Sequence, residues 1–440
     1  MKPFRYVFYG LIDITLSGHM HIGGEEDDPF AMAVDGNGNY VIPAGTVAGV
    51  LRSGLADIGS ERDKLFGDKD SNSRLWFYDA VLANTSVERR MGVCIDPDMG
   101  TVIPKKLYSR FYLGEGATTT LKIQGFAETE KERDKLLEAV QIAVSRIAQG
   151  IITFGSKRST GAGTVRVTNA KYHILDLHEE KELNAYLSGV EACFASCNLK
   201  LETMETASGS GIGFVLKANV PSGILVASGE KAKVSDKVNL IRKKNNKDVP
   251  FIPGTTIKGM LRAYAEKVCK AQRLDQRILV EMFGGELGDK HIAGFVKTED
   301  ADFNHPSRLV YNRIQIDRWL GGTITGKKMN AELIGNDTIE LKVWVSDGKD
   351  AVKNRLARAL VFLALRDAGT GRISIGSGDA IGWGRLEGVS LSFNDKVCRF
   401  SENPSTRVRR IEADDATKAE VMGWLQEMEV KANADEEQKQ

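Results

Sequence analysis

The chain repeats itself, and that duplication limits its fold more than any other feature of the sequence. Ile42-Pro43-Ala44-Gly45-Thr46-Val47-Ala48-Gly49-Val50-Leu51-Arg52 returns 210 positions later as Ile252-Pro253-Gly254-Thr255-Thr256-Ile257-Lys258-Gly259-Met260-Leu261-Arg262. Leu65-Phe66-Gly67 returns as Met282-Phe283-Gly284. Three further matches share an offset of 221. Asp79-Ala80 becomes Asp300-Ala301, and Val93-x-Ile95-Asp96 becomes Ile314-x-Ile316-Asp317. Phe154-Gly155-Ser156 with Gly161-x-Gly163 becomes Ile375-Gly376-Ser377 with Gly382-x-Gly384. Matches in one order identify two copies of a unit of about 170 to 190 residues. They divide the chain into a first domain (1–175), a linker (176–209), a second domain (210–393) and a C-terminal extension (394–440). Within the linker, LHEEKELNAYL reads as a short charged helix and ETASGSG as a flexible connection.

Both units show the same order of elements. A strand opens each (5–17; 211–220), a loop leads to the Ile-Pro segment, and a helix follows (46–58; 256–270). Pro43 and Pro253 precede that helix, where a missing N–H costs little. Thr46 and Thr256 are its expected N-caps. Next come a strand (74–81; 294–299), a polar excursion rich in β-formers (91–115; 312–333) and an alternating strand (118–125; 338–345). An amphipathic helix (130–148; 351–368), a glycine-rich loop and a final strand close the unit. This is β-α-β-β-α-β with insertions, so the expected fold class is α+β, with two tandem ferredoxin-like (RRM-like) domains.

Composition fits ordinary folded domains: 42% apolar and 27% charged residues. No run approaches the ~20 apolar residues needed to span a bilayer. The N-terminal MKPFRYVFYGLIDITLSG reads as a strand rather than a signal peptide, so the expected compartment is cytoplasmic. The net charge of +1 hides an asymmetry. Residues 411–440 hold nine acidic and three basic residues, net −6, which leaves +7 on the other 410. That balance permits phosphate contacts. Five scattered cysteines argue against a disulfide framework, and Cys193-x3-Cys197 has no second ligand pair at zinc-finger spacing, so buried free thiols are expected.

With these motifs the chain resembles the RAMP superfamily, the RNA-binding proteins of CRISPR systems, and in particular the filament-forming backbone subunits of type III effector complexes. The resemblance rests on IPAGTVAGVLR and IPGTTIKGMLR, the LFG and MFG after them, RLWFYDA, MGVCIDPDMGTV and NRIQIDRWLGGT, and the loops GSKRSTGAGTV and GSGDAIGWGRL. It covers nearly residues 1–393. Two such domains in one chain are similar to the fused subunits of some type III-D systems. The family implies guide-RNA binding, a paired single-stranded target RNA, and further subunits of the complex as partners, with no membrane. The excursions would be thumb hairpins that insert into the guide–target duplex and kink it.

RNA binding gives the residues expected roles. Glycine-rich loops let backbone N–H groups approach phosphate. Gly155, Gly161 and Gly163 belong to the first loop, with Lys157 and Arg158; Gly376, Gly382 and Gly384 belong to the second, which carries Gly378 and Asp379 in place of that basic pair. The start of each Ile-Pro helix is a second expected anion site, with Arg52, Lys258 and Arg262 beside it. Lys105, Lys106, Arg110, Lys327 and Lys328 would touch backbone from the hairpins, and RKKNNK at 242–247 reads as a mobile basic loop.

The resemblance also implies catalysis. Cleaving subunits of the family use an aspartate in the loop ahead of the Ile-Pro helix. Asp27 matches that position, with Asp28 as the near alternative, and Asp236 matches it in the second copy. Such a carboxylate holds Mg2+ or another divalent ion, or polarises the RNA 2′-OH, giving 2′,3′-cyclic phosphate ends; no nucleotide cofactor is expected. Three alternatives remain at this point. One is a non-catalytic guide-binding backbone subunit. Another is a histidine-dependent guide-processing endoribonuclease using His19 or His21. The third is an unrelated tandem RNA-recognition module, which needs exposed aromatics on central strands. The acidic tail has apolar residues at helical spacing (Val421, Met422, Trp424, Leu425, Met428), suited to a partner or to its own chain.

Overall fold

In YVFYGLIDITL nearly every position is apolar, which suits a strand covered on both faces. In a computed structural model this segment, Tyr6–Leu16, is the central strand of the first repeat's sheet. The structure describes residues 4–23, 32–69, 71–96, 101–195, 199–200, 211–229, 235–244, 247–288 and 290–437. The chain divides into two compact units. One comprises Met1–Arg89, Arg110–Arg158 and Ala162–Ser208; the other comprises Arg90–Ser109, Ser159–Gly161 and Gly209–Gln440.

In the first unit the antiparallel sheet runs Leu75–Phe77, Thr118–Ala127, Tyr6–Leu16, Val165–Asp176 and a short piece, Leu199–Lys200. Counted within the β-α-β-β-α-β pattern this is strand order 2-3-1-4, the ferredoxin-like arrangement. The second sheet has the same order in Val296–Thr298, Thr338–Ser346, Gly211–Asn219 and Glu387–Phe393. Ile12 lies opposite Leu121, and Leu216 opposite Leu341. Even the irregularity repeats. The register with the closing strand shifts between Asp13 and Ile14 in one copy and between Lys217 and Ala218 in the other.

The long helices cover one face of each sheet. Glu130–Ala148 starts at Thr129, whose hydroxyl accepts from the Glu132 N–H, and buries Leu136, Val140, Val144 and Ile147 along one stripe. Ala351–Gly369 starts at Asp350, whose carboxylate accepts from Val352 and Lys353 N–H, and buries Leu356, Leu360, Ala364 and Ala368.

The other face of the first sheet is also covered. Helices Glu180–Leu187 and Val190–Ala195 lay Cys193 and Phe194 over Val7 and Tyr9, with the Tyr9 and Phe194 rings 5.1 Å apart. Tyr9 is wholly buried, and half-exposed Trp76 stands on an edge strand against Phe126. A tandem RNA-recognition module that stacks bases on central-strand aromatics therefore does not fit this sheet.

Beyond the repeat, Lys396–Glu402 and Arg409–Glu412 extend the second sheet, and helix Asp415–Glu437 follows. Val421 and Trp424 are buried in the second core, where Trp424 meets Phe214, Phe362 and Phe393. Val421, Trp424 and half-buried Leu425 thus pack on their own chain, whereas Met422 is exposed and the Met428 side chain lies outside the described residues. No helix among the described residues is long and apolar enough to cross a membrane.

Candidate RNA-binding and cleavage site

Each Ile-Pro segment is a short strand that pairs with the repeated Asp-Ala: Ile42 lies opposite Ala80, and Ile252 opposite Ala301. The proline ends that strand and starts the helix, Ala44–Gly54 or Gly254–Ala271. Thr46 and Thr256 were the expected caps, but they fall inside the helix, Pro43 and Pro253 take the cap position, and no side chain of either proline caps it. The cap comes from across the strand pair. Ala44 N–H donates to Asp79 Oδ1 at 2.7 Å, and Gly254 N–H to Asp300 Oδ1 at 2.8 Å.

A carboxylate satisfies the free N–H and complements the helix dipole. It thereby occupies one donor of each expected anion site, the Ala44 or the Gly254 N–H. Asp79→Ala is expected to cost about 1 kcal/mol, the ordinary value of a lost cap, measured by equilibrium denaturation of the full chain.

The basic residues of these helices are engaged elsewhere. Arg52 pairs with Asp63 at 3.1 Å, Arg262 donates to the Gly284 carbonyl at 3.1 Å, and Lys258 is buried. None presents an open cation at the helix start. The RKKNNK run is not a mobile loop over its described residues. It forms strands Ile241–Lys244 and Lys247–Ile252. Arg242 is buried against Asp300 and Asp302, and Lys244 pairs with Asp302.

The glycine loops are built alike. Phe154 N–H donates to Gly163 O, Gly163 N–H to His19 O and Ser156 N–H to His21 O. The counterparts are Ile375 to Gly384, Gly384 to Gly223 and Ser377 to Leu225. Gly163 (φ +78°) and Gly384 (φ +73°) leave no room for a side chain: a Cβ would lie 1.7 Å from Phe154 O or 2.1 Å from Ile375 O. At Gly155 and Gly376 a Cβ would lie 2.3 Å from His21 O and 2.5 Å from Leu225 O, also too close for a side chain. These four glycines allow the close approach of loop to strand end. Gly161 and Gly382 also hold positive φ, and around Gly382 there is open space. Lys157 and Arg158 are exposed on the first loop.

Both excursions are hairpins that start earlier than the sequence pattern indicated: Val87–Ile95 with Val102–Leu113, and Ser307–Ile316 with Thr323–Gly335. Lys105, Lys327 and Lys328 are exposed, Arg110 is half-buried, and the Lys106 side chain lies outside the described residues. At the second hairpin's tip Asp317 accepts from Trp319 and Leu320 N–H, bonds that hold its carboxyl below the usual range. The turn so formed leaves Trp319 95% and Leu320 87% exposed.

Asp27 and Asp28 lie outside the described residues. Asp236 is exposed beside the second hairpin. Its N–H donates to Asn330 O at 3.1 Å, and its Oδ2 accepts from Asn330 N–H at 3.0 Å. One carboxylate oxygen is thereby fixed and the other has no partner among the described residues. No cluster of three potential ligands for a metal occurs among the described residues. A single carboxylate still suits Mg2+, which commonly takes one or two carboxylates and fills its shell with water and substrate phosphate.

His19 and His21 are both buried beside Tyr112. His21 Nδ1 lies 2.8 Å from the Phe111 carbonyl, and burial lowers its pKa below the ordinary histidine value. Neither reaches a surface where RNA could meet it, so the histidine-nuclease alternative lacks its acid and base. Cys193 is buried, its thiol donates to the Ala185 carbonyl at 3.3 Å and burial pushes its pKa up; Cys197 lies outside the described residues.

Two ferredoxin-like repeats, each with a hairpin and a glycine loop in its sequence, define a tandem ferredoxin-like protein. The family model of the RAMP superfamily matches residues 13–166 and 206–387, one match per repeat. The chain belongs to the RAMP superfamily. Membership makes it one of a class of CRISPR-associated RNA-binding proteins that work within complexes. No curated protein matches the chain significantly.

Two features escaped sequence reading. The helix-capping role of Asp79 and Asp300 was signalled by the repeated Asp-Ala but not its partner. The stacking of Arg313 of the second hairpin on Trp383 of the second loop had no signal in the repeat at all.

Proposed function

We propose that the chain is a backbone subunit of a type III CRISPR ribonucleoprotein. It binds guide RNA along its two repeats and cleaves the paired target RNA by metal-dependent attack of the 2′-OH, with one site per repeat, at Asp27 (or Asp28) and at Asp236. The observation that carries the reading is Asp236: an exposed carboxylate pinned by one oxygen to the base of a hairpin whose tip presents an almost fully exposed tryptophan. A hairpin that wedges into the duplex unstacks the target at its base. There the free oxygen of Asp236 would receive the 2′-OH proton or hold a divalent ion. RNA brings its own nucleophile, so alignment of that oxygen with phosphorus is the main catalytic demand. When bound, Mg2+ supplies positive charge to the oxygens around phosphorus.

The first loop supports phosphate binding through Lys157, which holds φ +59° where its counterpart Gly378 holds +86°. A left-handed residue with a side chain costs roughly 1–2 kcal/mol, and such strain gathers at functional sites. Lys327, Lys328 and Lys105 extend a basic track along the hairpins. Stacking of duplicated units would continue the RNA path through neighbouring subunits.

The test is to purify the chain with its neighbouring subunits, identify the copurifying RNA, and compare target cleavage by wild type and the Asp27→Ala/Asp236→Ala double variant. Guide-length RNA should copurify with both. Wild type should give Mg2+-dependent products with 2′,3′-cyclic phosphate ends, and the double variant should assemble but not cut. Equal cleavage by the double variant would overturn the assigned site. Absence of cleavage by an assembled wild type would leave the non-catalytic backbone subunit as the correct reading.

A further inference from the structure

The second glycine loop lacks the basic pair of the first, and the structure shows what stands there instead. At the offset of 221, Lys157 and Arg158 correspond to Gly378 and Asp379. A Cβ on Gly378 would lie 2.3 Å from the Trp383 ring, so this glycine makes room for an indole. Trp383 is buried against Leu225, Ala331 and Leu333, between the loop and the base of the second hairpin. From the hairpin strand Ser307–Ile316, Tyr311 and Arg313 come to the same ring, as alternate residues of one strand face must. The Tyr311 ring centroid is 5.7 Å from that of Trp383, and the Arg313 guanidinium carbon is 4.6 Å from it. The first repeat has Gly92 and Ala162 at the positions of Arg313 and Trp383, so the arrangement belongs to the second copy alone.

Arg242, Arg358, Arg372 and Arg409 all pair with carboxylates. Arg313 has no ion pair or side-chain hydrogen bond among the described residues, and its Nε, like those of Arg242 and Arg358, is closed off from solvent without an acceptor. Stacking on an aromatic ring contributes about 0.5–2 kcal/mol, whereas an unsatisfied buried donor costs about 1–3 kcal/mol. The stack fixes the plane of the guanidinium, and its two terminal nitrogens, unlike the enclosed Nε, are the donors left for an incoming acceptor. A planar fork of N–H donors matches two oxygens of a phosphate. Its position fits as well. Arg313 lies opposite Met329, one step along the hairpin from the Asn312–Asn330 pair, and Asn330 is the residue that pins Asp236.

We infer that Arg313, held on Trp383, is the second repeat's contact to an RNA backbone phosphate next to Asp236, in the role that Lys157 and Arg158 have on the first loop. This rests on the RNA-binding reading above. It also changes what the second loop is for: the loop supplies the ring, and the hairpin supplies the charge.

The experiment measures binding of a guide-length single-stranded RNA by the full chain between about 50 and 200 mM salt, where each lost phosphate contact on a single strand lowers the log–log slope by about 0.7. Arg313→Gln is expected to weaken binding about tenfold and to reduce the slope by that amount, while Arg313→Lys keeps the slope and loses part of the affinity. A wild type that binds RNA, with Arg313→Gln unchanged in affinity and slope, overturns this inference alone and reduces Arg313 to a packing residue. A wild type that binds no RNA overturns the RNA-binding reading, and this inference with it.

Discussion

Asp300→Ala is expected to destabilise the second unit by about 3 kcal/mol, the low end of the range for breaking a buried ion pair. Arg90, which belongs to the same compact unit, lies 2.8 Å from this carboxylate, and two groups of the second repeat depend on it as well. Arg242, only 7% exposed at its side chain, lies 3.2 Å away, and the Gly254 N–H at the start of the Ile-Pro helix donates to its other oxygen. Alanine leaves a buried guanidinium short of a counter-charge and a helix start short of an acceptor. The value stays near the low end because Asp302 still pairs with Arg242. The contrast with Asp79→Ala is the informative part. Asp79 caps the matching helix from an exposed position, so its loss costs only the cap. Denaturation followed by tryptophan fluorescence reports the second repeat and its extension well, since Trp319, Trp344, Trp383 and Trp424 lie there and only Trp76 in the first. A fall below about 1 kcal/mol for Asp300→Ala would mean that its charge is solvated rather than buried.

Gly384→Ala, and Gly163→Ala in the other copy, should each cost about 3 kcal/mol or more. A left-handed residue with a Cβ costs roughly 1–2 kcal/mol, and forcing an atom into packed structure adds roughly 1–3 kcal/mol. The added Cβ would meet Ile375 O or Phe154 O, and backbone cannot rotate aside as a side chain does. Gly382→Ala is the control: φ is +85° but nothing lies within 4 Å, so only the left-handed cost of about 1–2 kcal/mol applies. Denaturation midpoints of the three variants decide between two uses of the same motif. If the three lose equal stability, the close approach of loop to strand end is not what the glycines are for. If Gly384→Ala keeps full stability but loses RNA binding, the glycine serves the ligand after all.

How much was legible without coordinates depends on how local the cause is. The opening strand, the third strand and the long helix of each repeat follow from alternation and helical spacing, and their observed bounds differ from the pattern by a few residues at most. Their order, met twice, carries the ferredoxin-like topology, and the bulge at Asp13/Ile14 and Lys217/Ala218 shows how closely the two copies agree. Side-chain roles fared differently. Arg52, Lys258, Arg262 and Arg242 read as available cations because composition reports charge and not partners. Each found a carboxylate, a carbonyl or the interior once the chain folded. Thr46 and Thr256 read as caps because threonine is a good one, yet the proline had already set the helix start two residues earlier.

The sequence by itself determined the duplication, the order of elements in each copy and the family, since all three are written in residue types and spacings along one dimension. Tertiary structure alone decided which charges remain available. Asp79 and Asp300 reach helix starts from strands far away in the chain, and Trp383 meets Arg313 across 70 positions of sequence. An ionic or aromatic partner is chosen by proximity in space, where interaction energy falls off over a few ångströms, and sequence distance places no limit on it.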